Sequence, residues 1–359
     1  LNPLAARLAA RISRGGPITV ADYMAAALSD PDYGYYRRAD PLGAAGDFTT
    51  APEISQLFGE LIGAWLIDCW ERCGRPEPVN LVELGPGRGT LMADILRVAR
   101  HAPGWLNALR IHLVEINPRL RTAQAKSLAA YAPHWHESLS TVPDGPLLLV
   151  ANEFLDALPI RQLVFWEGVW RERLVDWSEE GGFRFGLSPR PSTLSLLIPA
   201  EVRATQGSVY ELSQAVIAAG TDIARRIEHY GGAALIVDYG RSESSAGETL
   251  QAVRTHRMVT VLKDPGVADL SAHVDFAMLR RIATEAGAGV AGPVTQGTFL
   301  TELGIGMRAE RLSRGLSGAA AASLRQAVER LTGTDAMGEL FKALAIVPPG
   351  MSPAGFGAV

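Results

Sequence analysis

The 359-residue chain holds only two cysteines, Cys69 and Cys73. Four apart on what reads as a helix, they exclude a disulfide framework and a four-ligand zinc site, and two buried thiols in a reducing compartment are expected. No run approaches the ~18–20 apolar residues of a membrane-spanning helix, so no membrane insertion is expected. No sign of charge dominates: Lys and Arg number 34, Asp and Glu 38, for a net −4. With no dense basic patch either, nucleic acid is not an expected partner. Repeats and low-complexity tracts are missing. So is any metal-ligand spacing: His134 and His136 flank a tryptophan without carboxylate or cysteine company and read as structural.

What is present is 47% hydrophobic composition, enough for one enlarged domain carrying insertions. Leu4, Leu8 and Ile12 mark one face of an N-terminal amphipathic helix with Arg7, Arg11 and Arg14 off that face. The acid-free first 21 residues share that arginine bias with mitochondrial transit peptides. Thr19 is a candidate N-cap with Asp22 in the first turn. A long glycine- and tyrosine-rich connection runs from Asp30 to Pro52, and long loops inside compact domains usually serve function or are disordered.

From Val79 the pattern changes. Apolar runs at Val79–Leu84, Arg110–Ile116, Leu147–Ala151 and Ala233–Val237 alternate with helical stretches at Gly89–Arg100, Pro118–Ala130 and around Tyr210–Tyr230. This predicts an α/β fold with a doubly wound, mostly parallel sheet. Gln162–Leu187 alternates apolar and polar residues between glycine turns, as an antiparallel insertion does. Helices are expected after Asp275, near Ser323–Leu331 and at Gly338–Leu344. The organisation is then an N-terminal helical cap and covering loop at 1–78, a core at 79–160 and 231–359, and an insertion at 161–230 of antiparallel strands followed by helix.

The first strand leads into Glu83-Leu84-Gly85-Pro86-Gly87-Arg88-Gly89-Thr90. Gly85, Gly87 and Gly89 form a turn that lets backbone N–H groups and a helix N-terminus approach a ligand, with Pro86 and Thr90 beside them. The dinucleotide spacing G-x-G-x-x-G would require glycine where Thr90 stands. Glu83 would repel a pyrophosphate, whereas S-adenosylmethionine carries an ammonium and a sulfonium that an acid attracts. Glu115 ends the second strand, where one carboxylate can accept both ribose hydroxyls. Together these residues read as a site for S-adenosylmethionine, and a nicotinamide-dependent oxidoreductase is disfavoured.

A third strand runs out into Asn152-Glu153-Phe154-Leu155-Asp156, at the sheet edge where open α/β folds keep their chemistry. Asn152 offers an acceptor to a nitrogen nucleophile and a contact to the cofactor. Glu153 and Asp156 supply two carboxylates suited to a guanidinium or amine, or alternatively a helix cap and a surface ion pair. Asp238-Tyr239-Gly240 ends another strand. His273, near Asp275, is either a proton carrier or a packing residue at a helix start.

The chain resembles the MidA-like methyltransferases, which include the mitochondrial complex I assembly arginine methyltransferase. Gly34-Tyr35-Tyr36, the loop Gly46-Asp47-Phe48-Thr49-Thr50-Ala51-Pro52-Glu53-Ile54-Ser55-Gln56, Phe58-Gly59-Glu60, Val82–Leu91, Asn152–Pro159, Val237–Gly240 and Asp269–Phe276 carry the likeness. It departs at Val253-Arg254-Thr255-His256, where an aromatic is expected before the arginine. The resemblance implies a Rossmann-like methyltransferase core and a protein substrate, with an arginine on a respiratory complex I core subunit as acceptor. Asp47, Phe48 and Thr49 can then hold and shield the amino-acid end of the donor. The expected compartment is a bacterial cytoplasm, with the mitochondrial matrix as alternative. A client-docking assembly factor that binds the cofactor without essential catalysis is the competing reading.

Overall fold

The computed structural model describes residues 1–38, 50–99 and 102–357. The chain divides into two compact units. One comprises Leu1–Phe48, Asp156–Ala218 and Glu243–Asp275; the other comprises Thr49–Leu155, Ala219–Ser242 and Phe276–Val359.

The second unit is built on a mixed sheet whose strands, in chain order, are β1 (Val79–Leu84), β2 (Leu109–Val114), β3 (His134–His136), β4 (Leu147–Asn152), β5 (Gly232–Arg241), β6 (Gly289–Thr295) and β7 (Phe341–Val347). Their spatial order is 3-2-1-4-5-7-6. β1 is parallel to β2 and to β4, and β4 to β5. β7 runs antiparallel to β5 and β6. The order reverses between β1 and β4, the switch point outside whose carboxyl ends open α/β sheets bind ligands. β1, β4 and β7 are buried along their whole length, which explains their near-continuous apolar sequences. Gly59 and Gly63 let helix Gln56–Arg72 pack closely on helix Thr90–Ala99: an added Cβ would stand 2.4 Å from Asp94 Cβ or 3.0 Å from Ile95 Cα.

Two expectations are corrected here. The C-terminal helix expected at Gly338–Leu344 ends at Leu340, and Phe341–Val347 is the buried strand β7. An apolar run interrupted only by Lys342 carries no period to separate strand from helix, and its Ala, Leu and Lys favour helix by propensity. The helical stretch around Tyr210–Tyr230 opens with the strand Val209–Leu212, and its helix starts at Gln214. The sequence also conceals β6, which contains Gly292-Pro293; the register shift between Ala291 and Val294 accommodates the proline.

In the first unit, helix Pro3–Gly15 buries Leu4, Leu8 and Ile12. Arg7 pairs outward with Asp30 and Asp32, and Arg11 with Asp22. Thr19 is the N-cap of helix Val20–Ser29, as expected, and with Asp22 it closes a reciprocal capping box. The antiparallel insertion has the order Ile18–Thr19, Val169–Ser178, Arg161–Trp166, Val209–Leu212, with Gly182–Pro191 also paired to Val169–Ser178. Glu167 and Gly168, both at positive φ, make the two-residue turn between its first long strands. A small sheet joins Gln251–Arg254 to Arg257–Val259 and Asp269–Ser271. Thr255 and His256 supply its tight turn, while Val253, where an aromatic is expected, lies within the first strand and pairs with Met258 and Asp269.

Candidate active site

β1 and β2 place the glycine turn at the switch point. Gly85, Gly87 and Gly89 all have positive φ, 65°, 54° and 82°. Gly85 is needed twice over, because a Cβ there would also come within 2.7 Å of Phe154 Cδ2. The turn is pinned by Gly85 N–H to Val114 O at 3.0 Å and Gly89 N–H to Pro86 O at 2.7 Å. Helix Thr90–Ala99 then begins, directing its N-terminal dipole at the turn. The Thr90 hydroxyl donates to Glu53 Oε1 at 2.6 Å.

Glu83 is 3% exposed. The Met92 N–H donates to its carboxylate, and burial pushes its pKa up to about 8, with Glu115 and Asp94 adding repulsion. Its Oε2 has no hydrogen-bond partner among the described residues. Glu115 also sits above its ordinary value through burial, partly offset by hydrogen bonds from the Asn117 N–H at 2.7 Å and from Gln124.

Gln124 is a residue that sequence reasoning missed. Fully buried, it donates to Gly87 O at 2.6 Å and to Glu115 Oε2 at 3.3 Å, and accepts from Trp135 Nε1 at 2.8 Å. One amide thus ties the turn to the acid on the second strand. Its only sequence signal is a lone glutamine three residues before Ser127, and a glutamine on a polar helix reads as solvated.

β4 ends on Asn152, whose Oδ1 is buried without a hydrogen-bond partner among the described residues and whose Nδ2 donates to Glu153 Oε1 at 3.1 Å. Glu153 has φ +51°, a left-handed conformation rare for its residue type. The buried Asp238, inside β5, holds this turn by accepting the N–H groups of Phe154 (3.1 Å) and Leu155 (2.9 Å). Glu153 Oε1 also accepts the Ala51 N–H at 2.9 Å, capping helix Ala51–Ile54.

Asp156 and His273 belong to the first unit, whereas Asn152 and Glu153 belong to the second. The Asp156 carbonyl accepts the Ala272 N–H at 3.0 Å. His273 N–H donates to Thr249 Oγ1 at 2.8 Å, and Thr249 is held by the buried Glu211. Asp275 receives hydrogen bonds from Tyr210 and Ser244. The Tyr36 hydroxyl donates to Asp269 Oδ1 at 2.9 Å, and burial, with Asp269 and Asp156 nearby, raises its pKa well above the usual phenol range. Tyr36 and Asp269 fall in motifs the sequence singled out, but neither was assigned a role there. Asp47, Phe48 and Thr49 lie outside the described residues.

His134 stacks on the buried His112, whose Nδ1 lies 2.9 Å from His136 Nε2; burial and the two neighbouring rings hold the His112 pKa down to about 4. Among the described residues, no group of three or more His, Cys, Asp or Glu side chains is placed to hold a metal, and no helix is long and apolar enough to cross a membrane.

The model of a family described as S-adenosyl-L-methionine-dependent methyltransferase matches residues 61–294. The mitochondrial protein arginine methyltransferase NDUFAF7 homolog of Drosophila melanogaster is 39% identical, over 96% of this chain and 85% of its own length. The human protein arginine methyltransferase NDUFAF7 is 36% identical, over 97% of this chain and 84% of its own length. A crystal structure from Burkholderia thailandensis bound to S-adenosyl-homocysteine superposes with a TM-score of 0.85 at 28% identity, covering 98% of this chain and 93% of that one.

Proposed function

The chain belongs to this family of S-adenosyl-L-methionine-dependent methyltransferases, and from that premise we propose that its acceptor is a protein arginine. The cofactor is S-adenosylmethionine. The residues at the switch point suit it: a buried carboxylate oxygen at Glu83 left without a partner among the described residues, a glycine turn that Phe154 would crowd if it carried a Cβ, and an acid at Glu115. When bound, the cofactor supplies an already activated methyl group on a sulfonium. In this reading Glu83 attracts the cationic amino-acid end, Glu115 accepts the ribose hydroxyls, and Gly85, Pro86, Gly87, Gly89 and Thr90 form the cradle.

In the second unit, the acceptor side rests on Asn152 and Glu153. The orphaned Asn152 Oδ1 is the observation that carries it, because a buried acceptor without a donor costs about 1–3 kcal/mol until an N–H arrives. A guanidinium N–H satisfies it. The Glu153 carboxylate then orients the guanidinium plane and favours loss of its proton. Relatives 36–39% identical over 95–97% of the chain are named protein arginine methyltransferases, which supports the same acceptor. The relatives are mitochondrial by name. We place this chain where complex I subunits are assembled, the bacterial cytoplasm or, alternatively, the mitochondrial matrix.

The test is transfer of a labelled methyl group to a fragment of a complex I core subunit. Label on arginine is expected. No label, with S-adenosylhomocysteine binding intact, rejects the arginine acceptor and leaves the client-docking reading.

A further inference from the structure

Outside the glycine turn, helices Gln56–Arg72, Thr90–Ala99 and Ile305–Ser313 enclose a cleft of about 400 Å³. Its polar wall is three guanidinium groups, Arg97, Arg308 and Arg311, with Glu60 as the acid among the lining residues; Leu61, Ala64 and Val98 form the apolar wall. Arg97 lies seven residues beyond Thr90, about 10 Å along the helix, so the cleft opens at the opposite end from the glycine turn.

The charges are arranged unequally. Glu60, only 10% exposed, accepts from Arg308 Nε at 3.1 Å and Nη2 at 2.9 Å, and from Gln56 Nε2 at 2.6 Å. That clamp fixes the Arg308 guanidinium in the wall. Arg97 Nη1 stands 2.8 Å from Asp94 Oδ1, and burial pushes the Asp94 carboxyl up to about 6. Arg311 has no ion-pair partner among the described residues. The cleft therefore holds one clamped guanidinium, a second in an ion pair and a third in excess, with net positive charge even when both acids are ionised.

We propose that this cleft binds a phosphate monoester whose organic group lies against Leu61, Ala64 and Val98. Phosphate presents three terminal oxygens to three guanidiniums, where a carboxylate presents two, and Arg forks match phosphate edge-on. The volume falls within the range of small-molecule sites. The phosphate can belong to a soluble metabolite or to a lipid headgroup, and both present the same chemistry.

Titrating the full-length protein with phenyl phosphate by calorimetry tests the site. Saturable binding is expected that weakens about tenfold in Arg311→Gln and falls as salt is raised, while S-adenosylhomocysteine affinity is unchanged. Arg311 has no structural partner to lose, so the variant folds; an unchanged melting temperature verifies this. Co-sedimentation with phosphatidic acid vesicles, absent with phosphatidylcholine and lost in Arg311→Gln, assigns the phosphate to a lipid. Phenyl phosphate binding without vesicle binding assigns it to a soluble ester. No saturable binding in either arm, or binding that Arg311→Gln leaves intact, overturns the proposal.

Discussion

Glu153 Oε1 accepts the backbone N–H of Ala51 at 2.9 Å, so the carboxylate proposed to face the acceptor also caps a neighbouring helix. The two roles make separable demands. A glutamine keeps an oxygen for the Ala51 N–H but loses the charge, whereas alanine loses both. Glu153→Ala is expected to lower stability by about 1 kcal/mol, in the range of a lost N-cap, and Glu153→Gln by less than about 0.5 kcal/mol. If the charge also holds the acceptor guanidinium, Glu153→Gln reduces methyl transfer at least about tenfold while S-adenosylhomocysteine affinity stays constant. Full transfer in the glutamine variant would reduce Glu153 to a cap.

The buried Glu83 couples cofactor binding to pH. Its folded pKa is raised, from 4.5 to about 8, chiefly by burial, so between those values the folded state holds the proton that the unfolded state has released. The stability of the cofactor-free protein should therefore fall as pH rises from 4.5 to 8 and then level off. A cation beside Glu83 favours its ionised form, so binding releases a proton. S-adenosylhomocysteine affinity should rise from pH 6 to about 8, by at most about tenfold per unit. Calorimetry in buffers of different ionisation enthalpy reads the released proton directly. Glu83→Gln should abolish both pH dependences, and a variant that keeps them would locate the titration elsewhere.

Gly85 is held by two restraints that can be tested apart. In Gly85→Ala the φ of +65° costs about 1 kcal/mol, and the contact at 2.7 Å from Phe154 Cδ2 adds about 1–3 kcal/mol of overpacking. Adding Phe154→Leu should recover the packing part and leave the backbone part. Urea denaturation of the single and double variants measures the difference. A double variant no more stable than Gly85→Ala would show that the ring is not the obstacle.

The sheet and the glycine turn were legible because each is written locally: a buried apolar run, then glycines that the backbone requires. β6 and β7 were hidden, one by a glycine-proline pair that reads as a loop and the other by an apolar run without period. The acids at Glu83 and Glu115 could be found from their places at strand ends. Asp238 was visible as a strand-end acid, but its grip on Phe154 and Leu155 depends on β4 and β5 being neighbours, which a helix and an insertion separate in sequence. Gln124 was illegible for a related reason: its partners Gly87, Glu115 and Trp135 come from three different elements.

Gln124 offers the sharpest measurement of that hidden link. In Gln124→Met the volume is nearly conserved, but the hydrogen bonds to Gly87 O, Glu115 and Trp135 are lost in a buried setting, at about 1–3 kcal/mol for each group left unsatisfied. If the amide positions Glu115 for the ribose, S-adenosylhomocysteine affinity should fall about tenfold in Gln124→Met and about as much in Glu115→Gln. The double variant should then lose little more than either alone, because both remove the same contact. A residue that only supports the fold would instead lower the melting temperature, leave the affinity of the folded protein intact, and add its effect independently to that of Glu115→Gln. The interaction energy from that cycle distinguishes positioning from support.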